Sequence, residues 1–189
     1  MLQTPQSLLR KEFLYLCQLN TITLYIVAKS QSSLAFATMG AGKLTIRFVL
    51  MVNKQGQTRL ARYFQDLTIE ERVALESEII RKCLSRNETQ CSFIEYRDYK
   101  VVYRRYASLF FVIGLEDVPG INELAVLEFI HTLVETLDQY FENVCELDIM
   151  FNIDKAHFIL DEMVMNGEII ETNRSLILEP IRLMEKHSS

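Results

Sequence analysis

The sequence predicts an α/β (α+β) domain in which a five-stranded antiparallel sheet is packed between helices, with further helices at the C-terminus. Three observations predict it. Short apolar runs between residues 46 and 115 are separated by tight turn signals, a capping box opens a helix between the second and third runs, and beyond residue 122 apolar residues recur every three or four positions.

The elements follow in order. Ile46 to Asn53 (IRFVLMVN) is apolar on both faces, with Ile46, Phe48, Leu50 and Val52 expected on one and Val49 and Met51 on the other, as in a strand covered on both sides. Asn53-Lys54-Gln55-Gly56 is a turn, and Thr58 to Phe64 returns as a second strand. Thr68-Ile69-Glu70-Glu71 has the pattern in which the Thr hydroxyl and the Glu carboxylate satisfy free first-turn amides, opening a helix to about Arg86. Its expected buried stripe is Ile69, Val73, Ile80 and Leu84. Cys91 to Tyr96 and Tyr99 to Tyr106 form a second hairpin around Arg97-Asp98, and Ser108 to Leu115 is the fifth strand. Asn122 caps a helix with one stripe at Leu124, Leu127, Ile130, Val134, Leu137 and Phe141 and a second at Val126, Phe129 and Leu133. A helix with so little polar face belongs between the sheet and something else, either more of its own chain or a partner. Asp154 to Asn166 is a further helix that Gly167 is expected to end.

Charge divides the 189 residues unevenly. Residues 1–45 hold four basic residues and one acidic, +3, which leaves 16 basic against 24 acidic, −8, for 46–189. An acidic body without a basic run excludes nucleic acid as a main partner, since phosphate binding needs clustered Lys and Arg. In the first segment Arg10-Lys11 precedes an apolar stretch from Phe13 to Ala28, an imitation of a secretory signal broken by Gln18, Asn20, Thr21 and Thr23. That stretch is too short to span a bilayer, which needs about 20 residues. We therefore expect 1–45 to be a divergent extension, poorly ordered over 1–38, or the product of a start placed too early, with Met39 as the true one; 46–189 is the functional domain.

Residues with catalytic chemistry are present without catalytic spacing. Gly40-Ala41-Gly42-Lys43 misses the phosphate-loop pattern, because Ala37 stands where Gly is required and Leu44 where a hydroxyl is. Cys17, Cys83, Cys91 and Cys145 include no C-x-x-C pair and read as reduced thiols of the core. Glu128, His131 and Glu135 share a helix face but lack a third metal ligand nearby in sequence, so His131 reads as a hydrogen-bonded packing residue. Adjacent carboxylates at Glu70-Glu71, Glu116-Asp117 and Asp161-Glu162 point in different directions on a helix and make no acid/base pair. The expectation is a non-enzyme with no cofactor and no metal.

Three strings then read together: IRFVLMVNKQGQTRLARYF, CSFIEYRDYKVVYRRYASLFF and FENVCELDIMFNIDKAHFILDEMVMNGEIIETN. Over 46–180 the sequence resembles the sigma, or small, subunits of the clathrin-adaptor-type protein complexes. KQGQTRL, CLSRNETQCSFIEY and DEMVMNGEIIETNR look closest to the class that serves the fourth adaptor complex. The resemblance begins at Ile46, where the composition changes, and GLEDVPGINEL is longer than the family's usual connection before the central helix.

This resemblance implies a longin-like fold and a place in a heterotetramer with two large subunits and one medium subunit. It also implies a coat protein of the cytoplasm, reaching the trans-Golgi network, endosomes and transport vesicles as a peripheral, indirect visitor to the membrane surface. The cargo would be cytosolic tails of membrane proteins carrying the acidic dileucine signal [DE]-x-x-x-L-[LI]. By the same resemblance Tyr106, Ala107 and Leu109 in YRRYASL, Val134 on the central helix, and Asn143, Val144 and Ile149 in NVCELDI match positions that line the slots for the two leucines, and Arg59 in QTRL matches the basic residue that meets the signal's acidic group. A related trafficking module of longin type, similar to the zeta subunit of coatomer, would share the fold without dileucine binding; Arg59, Val134 and Asn143-Val144 together favour the adaptor.

Overall fold

In the computed structural model the described residues are 44–87 and 90–188. Residues 1–43 of the expected extension, with Cys17 and the Met39 start, lie outside them. Strands β1 (Ile46–Asn53), β2 (Thr58–Tyr63), β3 (Phe93–Tyr96), β4 (Tyr99–Tyr106) and β5 (Leu109–Glu116) form an antiparallel sheet in the order β2-β1-β5-β4-β3. Helix α1 (Ile69–Leu84) covers one face; α2 (Glu123–Phe141), α4 (Ile153–Met163) and α5 (Arg174–Ser188) cover the other, with a short α3 (Glu146–Phe151) between α2 and α4. The expected fold class is the one observed. The second side of α2 is occupied by α4 and α5 of the same chain.

β1 sits at the centre because both its faces are apolar. Phe48, Leu50 and Val52 pack with Leu75, Ile79, Ile80 and Cys83 of α1, while Val49 and Met51 pack with Ile130, Leu133 and Leu137 of α2. Ile46 departs from the expected alternation and joins the α2 side, because an irregularity in the β1–β5 register between Ile46 and Phe48 shifts the pleat.

The capping box forms as expected, with the Glu71 amide donating to Thr68 Oγ1 at 3.3 Å and the Thr68 amide to Glu71 Oε2 at 2.8 Å. The stripe expected on α1 does not. Ile69 is 79% exposed, Val73 59% and Leu84 36%, and the buried side is Leu75, Ile79, Ile80 and Cys83. At about 100° per residue the expected four span about 60° of the helix, and Leu75, Ile79 and Cys83 lie about 40–120° to one side. Ile80 belongs to both stripes, and the sheet takes the neighbouring one. On α2 the second stripe is fully buried, whereas Leu124 is exposed and Leu127, Val134 and Phe141 are partly buried.

Gly167 also has a different role. α4 ends at Met163, and Val164–Met165 (β6) pairs with Glu168–Ile169 (β7) around Asn166 and Gly167, whose φ values of 50° and 80° are those of the tight hairpin turn that Asn-Gly favours. The turn abuts the start of β1: the Ile46 amide donates to Gly167 O at 2.7 Å, and a Cβ on Gly167 would lie 2.4 Å from Ile46 O. Gly167→Ala should therefore cost more than about 1 kcal/mol, through both the positive φ and the clash. In a thermal melt of the full chain that is a fall of at least about 2–4 °C; an unchanged midpoint would mean the hairpin is not docked on β1.

Candidate functional site

The turn between β4 and β5 begins the site. Tyr106 and Leu109 are register partners, so two residues, Ala107 and Ser108, reverse the chain, and Ala107 takes a left-handed φ of 50°. Leu109 is 6% exposed and Tyr106 is half-buried on the same core. The Tyr106 ring lies 18° from parallel to the His131 ring of α2, at 6.3 Å between centroids, and its hydroxyl is 3.2 Å from His131 Nδ1. Burial, more than any neighbouring charge, raises the pKa of that hydroxyl. The His131 contact fixes the turn against α2, and Val134 stands one helical turn further on, partly buried against the core.

The connection from α2 to α3 forms a second wall. Glu142 and Asn143 have φ of 54° and 79°, so with Ala107 they make three of the five non-glycine residues of positive φ among the described residues. Each such residue costs on the order of 1 kcal/mol, and clustering of that strain is a mark of functional sites. Two carboxylates hold the bend: the Val144 amide donates to Asp138 Oδ1 at 3.0 Å and the Cys145 amide to Asp148 Oδ2 at 2.8 Å. Asn143 is exposed, Val144 is partly buried, and Ile149 is fully buried beneath them.

A polar network joins these walls to the β1–β2 hairpin. Arg59 Nε donates to Glu146 Oε1 at 2.9 Å and its Nη2 to Gln57 Oε1 at 3.0 Å. Asn53, at the end of β1 and 2% exposed, donates from Nδ2 to the same Glu146 oxygen and to Gln57 Oε1, both at 3.0 Å, while its Oδ1 accepts the Gln55 and Gln57 amides. The hydrogen bond from Asn53, then that from Arg59, and a further one from the Ser108 hydroxyl hold the Glu146 carboxyl below the usual glutamate range. Asn53 is also the register partner of Leu109.

These contacts bring Arg59 together with the turn at 106–109 and the segment 143–149, and through His131 they place Val134 beside them. Ala107 and Asn143 stand exposed at the rim, whereas Leu109 and Ile149 lie beneath. Two surface cavities, of about 640 and 400 Å³, lie beside β3 and beside α1 and include none of these residues. Tyr106, Leu109, Val134, Val144 and Ile149 pack onto the core in the single chain. Glu146 and Asn53 were not foreseen. Both lie in the recognisable strings, but nothing in sequence joins Arg59 to a carboxylate 87 residues away.

Among the described residues no group of three or more metal-ligating side chains converges. Of the expected core thiols among the described residues, only Cys83 is buried, where desolvation pushes its pKa up to about 12; Cys91 and Cys145 are exposed, in a loop and at a helix start that the sheet does not cover. No described helix is long and apolar enough to cross a membrane. Leu147 and Phe151 of α3 are 55% and 76% exposed, an apolar surface beside the site.

A family model described as the clathrin adaptor complex small chain matches residues 45–188. The AP-4 complex subunit sigma of Arabidopsis thaliana is 69% identical over 141 residues, 75% of this chain and 97% of that relative. The AP-4 complex subunit sigma-1 of Homo sapiens is 59% identical over 143 residues, 76% of this chain and 98% of the relative. In a structure described as a homology model of the full-length AP-3 complex in a stretched open conformation, one chain superposes with a TM-score of 0.60 at 30% identity, covering 76% of this chain and 95% of that one.

Proposed function

The chain belongs to the clathrin adaptor complex small chain family, a family of non-enzymatic subunits, and on that premise we propose that it is the small subunit of an AP-4-type adaptor complex in vesicle trafficking. It assembles with two large subunits and one medium subunit, acts at the cytosolic surface of the trans-Golgi network and endosomes, and contributes a slot for the acidic dileucine signal of cargo tails.

The observation that carries this reading is the convergence of Tyr106, Leu109, Val134, Val144 and Ile149 at one end of the sheet, beside the Arg59 guanidinium. Small and branched side chains suit leucine, Asn143 at the rim can bond an extended peptide backbone, and a guanidinium suits a carboxylate. Burying two leucines gains about 3–6 kcal/mol before ordering costs, so a single tail binds weakly and relies on several tails in one membrane. Large apolar side chains left in water at Ile69, Val73, Leu124, Leu147 and Phe151 are what a subunit with partners presents.

Arg59→Ala tests the charge reading. In the assembled complex it should weaken binding of a Glu-x-x-x-Leu-Leu peptide about five- to tenfold, because it removes the cation and leaves the Glu146 carboxylate unpaired beside the signal's own, and leave the counterpart with Ala in place of Glu within about twofold. Titration calorimetry measures both, and equal loss for the two peptides would remove Arg59 from acid recognition.

A further inference from the structure

We propose that Glu146 sets the charge selectivity of this slot, by occupying the Arg59 guanidinium where the acidic residue of a signal would otherwise bind. The inference rests on the dileucine reading of the site. Arg59 is not a free cation awaiting a ligand. Its Nε is bonded to Glu146 at 2.9 Å, the two side chains are only 25% and 22% exposed, and the pair carries no net charge.

Glu146 is held by more than Arg59. Asn53 Nδ2 donates to the same oxygen at 3.0 Å, and Asn53 is itself locked by the amides of Gln55 and Gln57. The Ser108 hydroxyl, in the turn that carries Ala107 and Leu109, adds a third donor. A carboxylate with three donors stays ionised at neutral pH and does not swing away when a second carboxylate arrives.

Arg59 retains donors for a ligand, because a guanidinium has five N–H groups and Glu146 and Gln57 use two. What the pair lacks is net positive charge. An acidic residue that reaches those remaining donors comes close to the Glu146 carboxylate, and the repulsion offsets the attraction to Arg59. The slot of the native chain therefore selects leucines strongly and the acidic residue weakly. It admits signals whose acidic position is neutral, and Glu146 is a specificity-determining residue.

Glu146→Gln separates the two contributions, because a glutamine oxygen still accepts from Asn53 and Arg59 while the negative charge is gone. Calorimetry on the assembled complex, with the Glu-x-x-x-Leu-Leu peptide, its Ala-x-x-x-Leu-Leu counterpart and an Ala-Ala control in place of the leucines, gives the readout. We expect the wild type to prefer Glu over Ala by less than about twofold, Glu146→Gln to raise that preference to about five- to tenfold, and Arg59→Ala/Glu146→Gln to abolish it. The gain in Glu146→Gln should shrink between low and high salt, as a screened charge effect does.

A wild type that already prefers Glu by more than about twofold would overturn the proposal without any variant. So would a Glu146→Gln complex that binds both peptides equally more weakly, the result of a purely structural strut. If no complex distinguishes Leu-Leu from Ala-Ala, the dileucine reading itself fails and the proposal falls with it. Leucine dependence without the shift in charge preference overturns the proposal alone.

Discussion

Val134→Asp should abolish binding of the Leu-Leu peptide while the chain still enters its complex. Val134 lies on α2 one turn beyond His131, partly buried against the apolar cluster, so a carboxylate there can turn to solvent when the slot is empty. A leucine side chain in the slot would close off that water. Stripping a carboxylate of solvent with no partner costs at least about 2–3 kcal/mol, about a 30- to 150-fold loss, which takes a micromolar-scale interaction out of range. Co-purification with the large subunits, at wild-type yield, is the control that separates loss of the slot from loss of the fold. Retained binding would mean that Val134 belongs only to the core.

Gly114→Val should be the most damaging single change to stability. Gly114 on β5 faces Phe48 on β1 in the register, and a Cβ there would lie 2.1 Å from two atoms of the Phe48 ring. The ring cannot move aside: Phe48 is fully buried, with Tyr63 at 6.2 Å and Tyr99 at 5.7 Å between ring centroids. The absent side chain of Gly114 is the space the phenyl ring fills, an aromatic covering a glycine across a strand pair. Overpacking of this kind costs about 3 kcal/mol, or about 6–12 °C in the thermal midpoint of the full chain. Combining Gly114→Ala with Phe48→Leu should restore part of what Gly114→Ala alone loses, a coupling of opposite sign to two independent losses. Additive losses would mean the clash is relieved elsewhere.

The strands were legible because a strand covered on both faces reads as a short apolar run bounded by turn residues, and the start of α1 because a capping box is local chemistry. What failed were choices between two stripes of one helix, decided by which side the sheet takes. Ile69 and Leu75 are both apolar, and only tertiary packing makes one 79% exposed and the other 5%. Gly167 is ambiguous for a similar reason, since a glycine after a helical run ends a helix or turns a hairpin, and here Asn166 before it takes a positive φ too. The residues of the candidate site were named by the resemblance to the adaptor small subunits. Its wiring was not: the Arg59–Glu146 pair and the Asn53 lock connect β1, β2 and α3, which pair distances in sequence do not reveal.

A leucine-selective slot supplied by this chain to an adaptor complex is what we propose above all. Titration calorimetry of the assembled complex with a Glu-x-x-x-Leu-Leu peptide, alongside the same peptide with Ala-Ala in place of Leu-Leu, tests it most directly. Micromolar-scale binding of the first, lost with the leucines and lost again in Val134→Asp, is the expected result. Binding of neither peptide, or equal binding of both, would contradict it.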